Sequence, residues 1–360
     1  MIKPVPHVAA MSAYALAELN PPSGKHLVSL SQNESLLPPS PLAIATAAKA
    51  MSDAQLYPDP DWSALREALA DLHDIPAEQI LCGNGSMELI ASLTQAYANP
   101  QNAVLAPAHA YPFFKTAAHL VQARFDTATE VNGQVSVDAL LDAVQPDTRL
   151  VFVANPGNPT GTRISRAELL RLREGLRDDI LLVIDEAYGE FADHLGEPMF
   201  DLVARGDTVV LRTFSKAYGL AGMRVGWGAF PEHIIKDVRK VMNPNNISVA
   251  GQAAAFAAVK DQTYMRATCQ STANARDRFT TRLRTLGYDV AESFTNFALI
   301  RFDSAETAKR ADMALQYEGV FLRPQSGAGL PDCLRVTVGQ SGDMDMATAL
   351  LARFAGEADR

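Results

Sequence analysis

Short, uninterrupted apolar runs recur along this chain, and each is closed by residues that turn the backbone or carry chemistry. Ala103–Ala106, Leu150–Ala154, Ile180–Ile184 and Val209–Leu211 are runs of this kind. Apolar stretches of roughly four to eight residues bounded by turn signals read as strands buried on both faces, the pattern of a parallel sheet covered by helices. Helical stretches alternate with them. Alanine-rich segments follow Pro41 as far as Met51 and run from Val249 to Lys260, and others start near Asp61 or run from Ser86 to about Ala98 and from Glu232 to Val241. Ser165, with Glu168 three residues on, is a capping-box pattern for a helix reaching Gly175. Strands alternating with helices predict the α/β class.

Toward the C-terminus the pattern changes. Tyr288–Val290, Asn296–Phe302, Val320–Arg323 and Cys333–Val338 read as strands, several with alternating polarity, separated by helices at Ala305–Glu318 and Asp343–Ala355. This predicts a separate small α+β domain. At the other end, Val8–Leu19 predicts a short helix that stops at Asn20-Pro-Pro-Ser-Gly24. A chain of 360 residues exceeds what one core supports. The expected organisation is an N-terminal arm (1–30) packing with the small domain, a large domain (31–250) and the small domain (251–360).

Charge and cysteine usage narrow the function classes. A net charge of −9 argues against nucleic acid or an anionic membrane as the main partner. No apolar run approaches the roughly 20 residues a membrane span needs. Met1–Pro6 holds two prolines with no apolar core segment after it, so no leader is expected. Cys82, Cys269 and Cys333 are odd in number, widely spaced and without a CxxC pair, which points to a reducing cytoplasm and to no metal site.

Candidate chemistry sits at the ends of the apolar runs. Thr213, Ser215 and Lys216 follow Val209–Leu211, with Arg224 eight residues after the lysine beyond a glycine-rich bend. Ligands of α/β sheets bind at strand carboxyl ends. A partly desolvated lysine there has a lowered pKa and is a usable nucleophile. Gly83-Asn-Gly85-Ser86-Met87 leads into a helix; glycines admit a ligand close to the backbone and the first N–H groups of the helix favour an anion such as phosphate. Glu88 stands where a dinucleotide motif needs its third glycine. Asp185 terminates an all-apolar strand, where a carboxylate is costly without a cationic or hydrogen-bonding partner. Asn158 lies in the turn-rich loop Asn155-Pro-Gly-Asn-Pro-Thr-Gly161, and its amide can both donate and accept.

Asn155–Gly161, Asp185-Glu-Ala-Tyr188 and Ser215-Lys216 with Arg224 together resemble the fold-type I pyridoxal-phosphate (PLP) aminotransferases of class I/II, and the likeness runs from Asn33 to about Gly339. It implies a large α/β domain with a mainly parallel seven-stranded sheet flanked by helices, plus a small α+β domain. Lys216 would carry PLP and move the proton. Thr213, Ser215 and Arg224 would hold the phosphate together with the backbone at Gly85, Ser86 and Met87, and Tyr111 would stack on the ring. Asn158 and Tyr188 would bond the ring oxygen. Asp185 would pair with the protonated ring nitrogen and keep the ring an electron sink.

The same resemblance assigns Asn33, Asn158, Arg323 and Arg335 to the substrate, with Arg335 as a bidentate fork for a carboxylate. Tyr57 would reach the phosphate of a neighbouring subunit in a homodimer. The nearest named branch is the histidinol-phosphate aminotransferases, whose Ser-x-Asn-Glu-Asn-Pro box is matched by Ser31–Glu34 but ends here in Ser35 and Leu36, while Gln340 stands where threonine is usual. The reaction implied is a ping-pong transfer of an amino group from an amino acid, or histidinol phosphate, to a 2-oxo acid, as in histidine biosynthesis. Another amino-acid aminotransferase, or a PLP-dependent decarboxylase or lyase, stays open.

Overall fold

The computed structural model describes residues 2–13, 19–196 and 198–358. Seven strands form the main sheet: β1 (Ile80–Gly83), β2 (Ala103–Pro107), β3 (Arg124–Ala128), β4 (Thr148–Ala154), β5 (Leu181–Asp185), β6 (Thr208–Thr213) and β7 (Gly226–Ala229). Their order is β1-β7-β6-β5-β4-β2-β3. All neighbours are parallel except β7, which runs against both β1 and β6. β1, β2 and β5 are buried along their whole length, as their unbroken apolar sequences require. The fold is the mainly parallel α/β sheet expected.

Helices cover the sheet and share its core. Ser86–Tyr97 buries Leu89, Ile90 and Leu93, and Val249–Lys260 buries Ala254, Ala255, Ala257 and Ala258 in the same apolar cluster. Phe114 stacks on Phe152 of β4 at 4.6 Å. Ser165 caps the helix Arg166–Gly175 by accepting from Glu168 N.

A second cluster lies around a four-stranded antiparallel sheet ordered Asp289–Val290, Phe297–Arg301, Leu330–Thr337, Arg323–Gln325. The helices Gln262–Thr285, Ala305–Tyr317 and Ser341–Ala358 pack on it through residues such as Leu283, Leu315 and Leu351. Val28 and Leu30 belong to this cluster, and Val28–Ser29 pairs in parallel with Val320–Phe321.

The helix expected at Val8–Leu19 is corrected to Pro6–Ala10. Proline at its first position suits a helix start, and Met11 already has extended dihedrals, so the apolar run does not continue the helix. Tyr14–Glu18 of that expectation lie outside the described residues. Sequence patterning also passed over β3, whose mixed polarity reflects an edge strand, and β7, which is short and glycine-bearing.

Candidate active site

The sheet register explains why one cavity collects the chemistry. Ala154 pairs with Asp185, Asp185 with Leu211, and Thr213 with Gly226, which in turn faces Gly83. The carboxyl ends of β1, β4, β5 and β6 therefore stand side by side and open on a cavity of about 380 Å³. That volume suits a small ligand.

At one end of the cavity lie Ser86, Met87, Thr213, Ser215 and Arg224. Ser86 begins a helix of three turns, so unpaired backbone N–H groups point into this end. Arg224 Nη1 donates to Ser215 Oγ at 3.4 Å and to Ala221 O at 3.0 Å, and Thr213 Oγ1 lies 3.1 Å from Ser215 Oγ. Gly85 has φ +72, and a Cβ on it would meet Arg224 Nη2 at 2.6 Å. A Cβ on Gly226 would sit 2.3 Å from Ser86 N. A side chain at either glycine would crowd the groups that line this end of the cavity.

The middle of the cavity holds Lys216, Asp185, Tyr188, Asn158 and Tyr111. Lys216 Nζ donates to Asn33 O at 3.0 Å and lies 5.8 Å from the centre of the Tyr188 ring. Burial, with help from the nearby Arg335 and Arg224 charges, brings its pKa down to about 8. Asp185 accepts from Ala187 N at 3.1 Å, and burial pushes its carboxyl up to about 7. A buried acid in this condition is one that a cationic ligand group would ionise. Tyr188 OH accepts from Asn33 Nδ2 at 2.8 Å, and its ring meets Phe297 edge-on. Tyr111 stands edge-on to Phe114 at 5.7 Å, so the core anchors its ring.

The far end joins segments distant in sequence. Arg335, on the small sheet, donates Nη1 to Asn158 Oδ1 at 2.6 Å and Nη2 to Ser31 O at 2.9 Å. Asn33 N donates to Thr337 Oγ1, and Asn296 Nδ2 donates to the carbonyls of Asn33 and Glu34. Asn33 has φ +54, a left-handed conformation that asparagine tolerates. Arg323 and Gln325 complete the wall from the neighbouring strand. Asn155 holds the base of the turn-rich loop through a two-way pair with Ile164, which leaves Asn158 as the residue the loop presents to the cavity.

Thus thirteen sequence candidates line one cavity: the five from Ser86 to Arg224 at its first end, the five at its middle, and Asn33, Arg323 and Arg335. Gly85 lies directly behind Arg224. Tyr57 does not reach this chain's own cavity; it is 88% exposed on the surface. Ser31, Gln32, Glu34, Ala187 and Gln325 also line the cavity and were not singled out. Ala187 had a usable signal, a small residue between the candidates Asp185 and Tyr188. Gln325 had none, because only sheet pairing brings it inward. Among the described residues no cluster of side chains has the make-up of a metal site, and no helix is long and apolar enough to cross a membrane.

These residues fit PLP on their own geometry: a glycine-bounded anion cradle, a buried carboxyl awaiting a cation, and a desolvated amine between them. The family model described as aminotransferase class I and II matches residues 25–354. A histidinol-phosphate aminotransferase of Jannaschia sp. is 38% identical over 350 residues, 97% of each chain. One from Ruegeria sp. is 38% identical over 359 residues, 99% of each. The crystal structure of histidinol-phosphate aminotransferase from Sinorhizobium meliloti, in complex with pyridoxal-5'-phosphate, superposes with a TM-score of 0.91 at 27% identity over 99% of both chains. The chain therefore belongs to the PLP-dependent class I and II aminotransferases, beside the histidinol-phosphate aminotransferases.

Proposed function

We propose that the chain transfers the amino group of histidinol phosphate to a 2-oxo acid, or the reverse, as a cytoplasmic homodimer. The observation that carries the substrate is the pair of guanidiniums at the far end of the cavity, Arg335 beside Asn158 and Arg323 on the adjacent strand. They suit a phosphate monoester or a carboxylate, and the names of the full-length relatives favour the first. Free thiols at Cys82, Cys269 and Cys333 support a reducing compartment.

PLP, when bound, supplies a carbonyl that captures the amino group and a protonated ring that draws off the electron pair left on the substrate carbon. Ser86, Thr213, Ser215 and Arg224 would hold its phosphate. Asp185 would pair with the ring nitrogen and favour its protonated form. Tyr188, oriented by the bond from Asn33, and Asn158, oriented by Arg335, would donate to the ring oxygen. Lys216 would carry the cofactor; once released, with its pKa brought down to about 8, a usable share of it would be the free amine that takes up the proton from the substrate carbon.

The exposed Tyr57 would donate to the cofactor phosphate of a second copy, a bond to a charged acceptor worth roughly 1.5–3 kcal/mol. Mixing Tyr57→Phe and Lys216→Ala subunits places both lesions on one site of the mixed dimer and should restore activity at the other; an active monomer would overturn this part. The substrate test is loss of the bound cofactor's visible absorbance on adding histidinol phosphate, compared with a panel of amino acids. A specific contact favours a second reading, an amino-acid donor. Gln340 Nε2 donates to Leu36 O at 2.6 Å, so two departures from the histidinol-phosphate pattern meet two residues beyond the cavity-lining Glu34. A panel amino acid outrunning histidinol phosphate would decide for it.

A further inference from the structure

The alternation that sends Asp185 into the cavity sends Glu186 to the opposite face of the sheet, where Arg212 of β6 meets it. Arg212 is 1% exposed. Its Nε and Nη2 donate to Glu186 Oε2 at 2.9 and 2.7 Å, and Nη1 and Nη2 donate to Asp193 at 2.8 Å each. Glu190 Oε1 lies 3.5 Å from Nη1. The guanidinium rests 5.1 Å from the centre of the Phe200 ring, and a Cβ on Gly189 would meet its Cζ at 2.4 Å.

All three carboxylates belong to one stretch, Glu186–Asp193, which follows Asp185 directly and contains Tyr188. One cation faces three acids. Glu190 Oε2 is buried without a hydrogen-bond partner, and burial pushes that carboxyl up to about 7, so it keeps its proton on the acid side of neutrality. Of the other titratable groups packed here, His73 is driven down to about 4 by burial and the Arg212 charge, and burial pushes the Tyr218 and Cys269 protons to higher pH. These stay neutral; the charges of Arg163 and Arg166 also act on Glu186, and the acids that bind the fork all come from the turn.

We propose that Arg212 is a positioning residue for transamination: its planar fork holds the turn Glu186–Asp193 from behind and thereby sets where Asp185 and Tyr188 stand against the cofactor ring. The proposal rests on the transaminase reading above. Arg212 itself does not line the cavity. Lysine could supply the charge but not the fork.

The test compares the holoenzyme with Arg212→Met and Arg212→Lys, following half-reaction kinetics and the pH dependence of the bound cofactor's absorbance. Cofactor content should persist, because the phosphate cradle is untouched. For Arg212→Met, kcat should fall about 10- to 100-fold with KM within about threefold, and the absorbance midpoint should move by about half a pH unit or more. Arg212→Lys should recover only part of both. A folded Arg212→Met with wild-type midpoint and kcat, and only a lower melting temperature, would overturn the proposal. If that variant does not fold, Glu186→Gln keeps the side-chain shape and must show the same midpoint shift; an unchanged midpoint overturns it equally. A wild type that binds cofactor but transfers no amino group from any donor would instead defeat the transaminase reading, while the absorbance midpoint still tests the fork.

Discussion

At the end of the cavity proposed to hold the cofactor phosphate, Thr213 lies two residues from Ser215, and Arg224 reaches Ser215 across nine. At the end proposed to take the substrate, Arg335 and Thr337 bond Ser31 and Asn33 across 304 residues. The first end is made of strand termini and turns of a single sheet. The second closes only when two hydrophobic clusters are in place relative to each other. Cofactor binding should therefore survive disturbances that substrate binding does not.

The largest effect expected lies between these ends, at Lys216. Lys216→Ala should retain PLP through the intact cradle yet lose about 10⁴-fold or more in half-reaction rate. Borohydride reduction of the wild type followed by peptide mapping must put the label on Lys216; a label elsewhere removes the residue from its role. Asp185→Asn should cost roughly 10²- to 10³-fold, since a neutral partner leaves the ring nitrogen unprotonated. Near-normal rates in single-turnover measurements would make Asp185 a structural acid.

The comparison is sharpest in a pair of arginine variants. Arg224→Met should weaken PLP by about tenfold to a hundredfold, the loss of charge-assisted bonds, and change KM little once the site is saturated. Arg335→Met should do the opposite, raising KM for the anionic donor by a similar factor with cofactor affinity almost unchanged. Equal effects on both constants in both variants would show that the ends are not separable.

A smaller effect is expected in the stability of the cofactor-free protein. The Asp185 carboxyl is raised from 3.8 to about 7, so its contribution is fully present at low pH and lost as pH rises through 7. Lys216 is lowered from 10.5 to about 8, so its contribution is fully present above 10.5 and lost as pH falls through 8. Both costs overlap between 7 and 8. Melting temperature, taken as wild type minus Asp185→Asn, should fall by a few degrees from pH 5 to 8, on the order of what one or two kcal/mol does to a chain of this size. A flat difference would mean that the carboxyl is already ionised and paired.

What the amino-acid sequence determined by itself is whatever short-range rules decide. Unbroken apolar runs placed β2, β4, β5 and β6, because a strand buried on both faces has no polar alternation to conceal it. The cradle was legible at Gly85–Ser86 and at Ser215–Arg224 because each piece is a local turn whose residue types follow from backbone geometry and charge. Only the tertiary structure decided what crosses the chain. Glu34 and Gln325 line the cavity because distant strands pair, and Arg335 turns inward because the small sheet presents it to Asn158 and Ser31. Arg212 shows the limit most clearly. In sequence it is one arginine inside an apolar strand, and its three acids read as an ordinary polar turn. Period-two alternation puts Glu186 and Arg212 face to face behind Asp185, the helical turns that follow add Glu190 and Asp193, and no spacing along one chain segment encodes a meeting between two.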